Sequence, residues 1–417
     1  MFSLLNVDLY QMDFRDVAKS WQLWLLFFGV IFISSIILSI RKLPSPSHSD
    51  APAMTRPQEH KMESHGALAP TLPQGSFELG VVPGSRGNAT WIMHSCAATV
   101  KAGAELMAHE ISKFLQRAGW NVRIMLYDHK DLDEYDGVPF VKMPFQQPLN
   151  EECKRVLAES DFILTQNFTA EDVLAIAEEF GLPVCFFLHL DVEKTEILQQ
   201  RWNVPVYIIY NAMTQHEVGP TIHAWTVVRP HIDYDKYEQL DTSSGKNVTL
   251  LNCIPNKGGH VIKMLADLMP DIPFVGIKGG YGPQVLDGDQ KNMTYYDHND
   301  NPLPFYTNSR IIIMPSKSES WGRVALEGMA AGIPVIVGDT PGLRECTNGA
   351  APVCSQEDVG CWEREVRRLY HDGPDRDAAI AAGRRRIAEL RASSDYDAFD
   401  KFLKEVVAPS RIQDKTK

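Results

Sequence analysis

Residues 310–345 read RIIIMPSKSESWGRVALEGMAAGIPVIVGDTPGLRE, and this stretch decides the fold class. Ile311, Ile312, Ile313 and Met314 form a short apolar, β-branched run closed by Pro315 and Ser316, the pattern of a buried parallel strand. A polar loop over 317–321 leads into 323–331. There Val324, Ala325, Met329 and the alanines predict an apolar helix face, and Gly332 supplies the left-handed stop. The next strand is predicted over 334–337. The result is one β-loop-α-β unit whose loop lies at the carboxyl end of a strand, where open α/β sheets take ligands.

Two carboxylates frame that loop. Glu319 precedes the predicted helix and Glu327 lies one turn inside it. Helical Cα–Cβ bonds tilt toward the N-terminus, so Glu327 leans back and both acids can face one ligand. Between them the N–H groups of Ser320, Trp321, Gly322 and Arg323 carry partial positive charge, which suits a diphosphate. An anion site flanked by hydroxyl acceptors is the chemistry that a sugar nucleotide asks for. Taken singly, each acid has a plainer explanation: Glu319 as a helix cap, Glu327 as a solvated surface charge.

Bulk properties set the outer limits. The chain has 417 residues, 44% hydrophobic and 23% charged, enough for two domains and a large core. A net charge of −12, spread without long blocks, argues against nucleic acid as a partner. The seven cysteines form no C-x-x-C pair, and Cys96, Cys185 and Cys253 fall in predicted strands as small apolar residues. Neither zinc nor a disulfide framework is expected.

The chain opens with a short tail, 1–20. Residues 21–40, WQLWLLFFGVIFISSIILSI, carry no charge and as a helix would cover about 30 Å, the hydrocarbon thickness of a bilayer. Arg41, Lys42, Leu43 and Pro44 follow without a small-residue cleavage pattern, so an uncleaved signal anchor is expected, with a removed signal peptide as the alternative. Basic residues flank the span almost evenly, at Arg15 and Lys19 before it and Arg41, Lys42 and Arg56 after it, which leaves its orientation open. Residues 41–87, rich in Pro, Ser and His, read as a disordered stem. Sequons at Asn88, Asn167, Asn247 and Asn292 are compatible with a lumenal body, although the last three border predicted elements and can equally be chance matches.

Strands and helices then alternate. Strands are predicted over 91–96, 122–126, 161–165, 183–188 and 204–210, with helices over 100–118 and 170–180. This repetition implies a doubly wound parallel sheet in a first Rossmann-like domain, 88–235. Charged residues 233–246, with Thr242, Ser243, Ser244 and Gly245, are expected to link it to a second such domain, 246–394. That half restarts with strand 248–253 and the turn Ile254-Pro255-Asn256-Lys257-Gly258-Gly259, followed by strand 274–277. Helices are predicted over 356–371, 376–391 and 395–407, the last opening a terminal segment, 395–417.

Pro315, Ser316, Glu319, Trp321, Gly322, Glu327, Met329, Ala330, Gly332, Pro334 and Val335 together resemble the E-x7-E signature of retaining family 4 glycosyltransferases, of the group 1 glycosyl transferase type. The resemblance implies a GT-B fold, two Rossmann-like α/β domains facing a cleft, with the terminal helix crossing back onto the first. It also implies roles. Glu319 would hold the sugar hydroxyls and Glu327 the ribose, with Ser320, Trp321, Gly322 and Arg323 completing the donor loop. His189, at the end of strand 183–188, would contact the donor sugar, although a lone histidine there can also be purely structural. Lys257 and Gly258 match the family's lysine-glycine step at the diphosphate. Gly103 and Glu105 resemble the GGAE turn near acceptor and donor, with Ala102 in place of its first glycine. The family's arginine beside the lysine has no counterpart in Leu250-Leu251-Asn252-Cys253, so either backbone amides and Lys257 suffice or another cation such as Arg323 or Lys278 substitutes.

Asp287-Gly288-Asp289 looks like the metal motif of the other large glycosyltransferase fold, but its polar surroundings read as a solvated loop, and no essential metal or other cofactor is expected. The expectation is a membrane-anchored retaining transferase of Golgi or ER type II layout. It would move a hexose-like sugar from a nucleotide diphosphate sugar to a glycan, glycoconjugate or other hydroxyl acceptor. The alternatives are a non-catalytic nucleotide-sugar-binding protein and a sugar-nucleotide epimerase or phosphorylase on the same scaffold.

Overall fold

The computed structural model describes residues 86–144, 148–166, 170–189, 198, 200–217, 219, 223–280, 282–286 and 290–411, all within the compact unit Phe77–Lys417. The expected anchor 21–40, residues 41–85 of the expected stem, Asn167 and the Asp287-Gly288-Asp289 loop lie outside the described residues. Among those described, no helix is long and apolar enough to cross a membrane.

Two sheets organise the chain. The first contains β1 (Asn88–Met93), β2 (Asn121–Leu126), β3 (Glu134–Tyr135), β4 (Val138–Lys142), β5 (Phe162–Gln166), β6 (Val184–Leu188), β7 (Val206–Tyr210) and β8 (Ala224–Val227), in the order β3-β4-β2-β1-β5-β6-β7-β8. Only the β3–β4 pair is antiparallel among these. The second contains β9 (Asn247–Leu251), β10 (Phe274–Ile277), β11 (Met293–Tyr296), β12 (Ser309–Met314), β13 (Val335–Gly338) and β14 (Val353–Cys354), all parallel, in the order β11-β10-β9-β12-β13-β14. Central strands such as β5, β6 and β7 are buried throughout, which is why they read as unbroken apolar runs rather than alternating ones.

Departures from the expected boundaries have polar causes. β1 starts at Asn88, three residues before the predicted strand. The Asn88 backbone N–H donates to Asp161 Oδ2 (2.8 Å) and its Nδ2 to the Glu159 carbonyl (2.8 Å), so a buried asparagine is satisfied at the strand start. Cys96 therefore lies in the following loop rather than in a strand. Cys253 likewise sits just past β9, and only Cys185 of the three is in a strand. The stretch expected as a linker contains the helix Tyr234–Glu238, capped by Asp233, whose Tyr234 and Tyr237 are buried in the second half's core.

The terminal helix Asp395–Phe402 lies against the first half, with Phe399 among the β1, β2 and β6 side chains. Asp400 anchors it by accepting from Trp120 Nε1 (2.7 Å) and Arg86 Nη1 (2.6 Å). Glu345, at the end of the 310–345 stretch, ties the halves together. Its carboxylate accepts from the N–H groups of Met213 (3.1 Å) and Thr214 (3.0 Å) and from Arg229 (3.2 Å).

The structure departs from the sequence expectation on cysteine pairing. A disulfide joins Cys354, ending β14, to Cys361, in the first turn of helix Val359–Tyr370. The fold brings their Cα atoms to 5.7 Å, a closeness that spacing along the chain does not reveal. Asn88 and Asn292 are also poor glycan acceptors, because their amide nitrogens are consumed. Asn292 Nδ2 reaches the carbonyls of Ala266 (3.0 Å), Met269 (2.9 Å) and Ile272 (2.9 Å).

Candidate active site

β12 delivers the chain into the loop that carries Glu319, and the helix Arg323–Ala330 leaves it. Gly322 makes the turn possible at φ 122°, where a Cβ would come within 2.5 Å of Leu343 Cδ2. No side chain caps this helix, so its first N–H groups are available to an anion. Trp321, expected in the donor loop through its N–H group, turns its side chain inward. It is 2% exposed, packed in the core with Leu343 and Cys346, and Arg229 lies over its ring at 5.9 Å.

A second loop meets the first. β9 runs into the turn Pro255–Lys257 and Gly258, which at φ 86° passes so close to Pro315 that a Cβ would sit 2.6 Å from it. The Lys317 N–H donates to the Asn256 carbonyl at 2.9 Å, joining the two backbones. Their charged side chains also join: Lys257 Nζ lies 2.5 Å from Glu319 Oε2, both side chains about four-fifths buried. The expected diphosphate cation and the expected sugar-binding acid are thus one ion pair at the carboxyl ends of β9 and β12.

Glu327 is nearly enclosed. It accepts from the Tyr306 hydroxyl (2.5 Å) and Arg323 Nε (3.1 Å) and is 6% exposed. Burial, then the adjacent Glu327 charge, pushes the Tyr306 and Tyr237 phenols up, so both remain protonated donors. Arg323 points away from the donor loop, donating to the His231 carbonyl (3.2 Å) and pairing with Glu110 of the first half (3.5 Å). Lys278 pairs with Asp297 at the surface. Arg323 and Lys278 thus both stand paired with carboxylates in this structure, as Lys257 does.

His189 follows β6 and faces this loop from the first half. Its Nδ1 accepts from Asn211 Nδ2 (2.8 Å) and its Nε2 donates to Gln166 Oε1 (3.0 Å), so the amide orientations select the neutral Nε2–H tautomer. Asn211 Nδ2 also reaches Ser320 Oγ at 3.3 Å, which connects His189 to the donor loop across the cleft. Gly103 and Glu105 lie at the start of the helix Gly103–Arg117. Glu105 accepts from Ser95 Oγ (3.1 Å), and burial raises its carboxyl. Asn211, Gln166 and Tyr306 had carried no sequence signal of their own, being ordinary polar residues whose partners are remote.

Burial pushes the His189 imidazole down to about 4. Between that value and the ordinary one near 6.5 the unfolded chain binds a proton that the folded one refuses, so stability falls as pH drops through this window. His189→Gln is expected to lose less urea resistance than wild type between pH 7 and pH 4.5. Parallel pH slopes for the two proteins would show that the histidine protonates normally in the fold.

Residues 286–386 match the family of glycosyl transferases, group 1. This group 1 segment contains β12, the donor loop, Glu319 and Glu327, whereas Lys257 and His189 precede it. A Mycobacterium tuberculosis glycogen synthase is 38% identical over 87 residues, an alignment covering 20% of this chain and 20% of that relative. The chain thus matches about a fifth of that relative's length. Among solved structures, the sucrose-phosphate synthase of Thermosynechococcus elongatus superposes with a TM-score of 0.62 at 16% identity, over 78% of this chain and 100% of that one. Anabaena HepE in complex with UDP and glucose superposes at 0.61 and 15% identity, over 76% and 99%. The fold is GT-B-like, and the group 1 segment forms most of its second sheet and the helices around it.

Proposed function

We propose that this chain is a nucleotide-sugar-dependent glycosyltransferase that moves a hexose-like sugar, with retention, to a glycan or other hydroxyl acceptor. The observation that carries this is the Lys257–Glu319 pair beside an uncapped helix N-terminus, with His189 facing it through Asn211. As the anomeric C–O bond breaks, charge grows on the leaving diphosphate, and Lys257 with the N–H groups of Arg323 and Val324 would stabilise it. Glu319 would hold sugar hydroxyls and neutral His189 would position the sugar. Glu327 would take the ribose hydroxyls after exchanging a present partner. No side chain is assigned as a covalent nucleophile, and no metal is assigned a step.

Residues 21–40 are proposed as a membrane anchor with the body on the lumenal side. The Cys354–Cys361 disulfide favours an oxidising compartment for the body. Sugar nucleotides are tested by thermal shift on the full-length protein with EDTA present. UDP-glucose is tried first because HepE holds UDP and glucose. A donor at 100 times its Kd adds about 2.7 kcal/mol of stability. A shift with one sugar nucleotide supports the assignment, and no shift with any of them overturns it.

A further inference from the structure

We propose that Gln356, held in place by the Cys354–Cys361 disulfide, is a positioning residue for the paired donor loops, and that the redox state of this disulfide sets donor affinity. This rests on the reading of the cleft as a sugar-nucleotide site.

Gln356 is 7% exposed although it belongs to a connecting loop. Its Nε2 donates to the Pro315 carbonyl at 2.5 Å and lies 3.3 Å and 3.4 Å from the carbonyls of Pro255 and Asn256. Pro255 and Asn256 begin the turn that ends in Lys257, and Pro315 opens the loop that reaches Glu319. One buried amide therefore bridges the two backbones whose side chains form the Lys257–Glu319 pair. A shift of either backbone moves the cation relative to the carboxylate, and positioned charges lose their effect on a diphosphate steeply with misplacement.

Gln356 is itself held by a short device. β14 has only two residues and pairs with β13 at Val337–Val353 and Gly338–Cys354, so the sheet edge alone restrains this loop weakly. Three ties close it: the disulfide across a separation of seven residues, the Asp358 cap on the Cys361 N–H (2.9 Å), and the Trp362 Nε1 bond to the Ser355 carbonyl (2.8 Å). The disulfide alone is chemically reversible. An external dithiol attacks one sulfur and forms a mixed disulfide. Its second thiol then releases the protein, leaving Cys354 and Cys361 as two thiols, with two electrons and two protons gained, and the dithiol as its cyclic disulfide.

Donor KM, acceptor KM and kcat are measured on the full-length protein, oxidised and after dithiothreitol, and on Gln356→Met. Cys354→Ser/Cys361→Ser serves as the reagent-free equivalent of reduction. Donor KM is expected to rise about five- to tenfold in each altered form, the effect of losing a buried bridging hydrogen bond. Acceptor KM stays within about twofold, whereas kcat falls along with donor affinity because the same displacement moves Lys257 from the leaving diphosphate. Re-oxidation restores wild type, and the double serine variant no longer responds to dithiothreitol. Donor KM and kcat unchanged on reduction, or acceptor KM rising as much as donor KM, overturns the proposal. If Gln356→Met does not fold, reduction of wild type decides alone. An oxidised wild type that binds no sugar nucleotide overturns the reading of the site instead, which keeps the two failures apart.

Discussion

Glu327→Ala is expected to lower stability by about 3–5 kcal/mol as well as to abolish sugar transfer. A pocket-lining carboxylate on the surface of a cleft would contribute little to folding, but Glu327 is not in that position. It is 6% exposed and closes a chain of contacts from Tyr306 to Arg323, whose guanidinium continues to Glu110. Removing it leaves a buried cation with only the part-exposed Glu110 as counter-charge, and a buried phenol without its acceptor. Glu327→Gln retains an acceptor for Tyr306 and the side-chain volume, so it should cost markedly less in urea unfolding while still losing transfer. Equal midpoints for wild type and the alanine variant would show that the carboxylate is not bearing this charge.

Lys257→Met is the complementary case: activity falls steeply and stability moves less than in Glu327→Ala. The pair with Glu319 is about four-fifths buried, so its loss leaves Glu319 without its counter-charge, at a cost on the order of 1–3 kcal/mol. Among the charged groups of the two donor loops, Lys257 is the one whose backbone the turn at Gly258 aims at Glu319. Removing a preorganised charge at a leaving group typically lowers turnover by about 10²–10³-fold. Steady-state kcat/KM for the donor identified by thermal shift measures this directly. A variant within threefold of wild type would assign diphosphate stabilisation to the backbone N–H groups alone.

Much of the fold was legible because its signals are local. Ile311 to Met314, the Gly332 stop and the run of Val335 to Val337 announce β12, the helix and β13 through burial and period, and the structure differs there by only one or two residues at each end. Where polar residues start a strand, as at Asn88, the pattern failed, since burial of an asparagine depends on a carboxylate and a carbonyl about seventy residues away.

In the candidate site the sequence by itself determined which residues stand at the loop: Glu319 and Gly322 at the helix start, Glu327 one turn inside, and Lys257 beside a glycine whose φ of 86° only that residue adopts without strain. These follow from backbone geometry over a few positions. What each charge touches was decided by the tertiary structure. Lys257 meets Glu319 across 62 residues, and Arg323 turns to Glu110 across 213 rather than to a diphosphate. Trp321 faces the core, and Cys354 finds Cys361 because β14 ends where the next helix begins. A charge pairs with whatever opposite charge the packing brings within a few ångströms, and no periodicity along the chain encodes that distance.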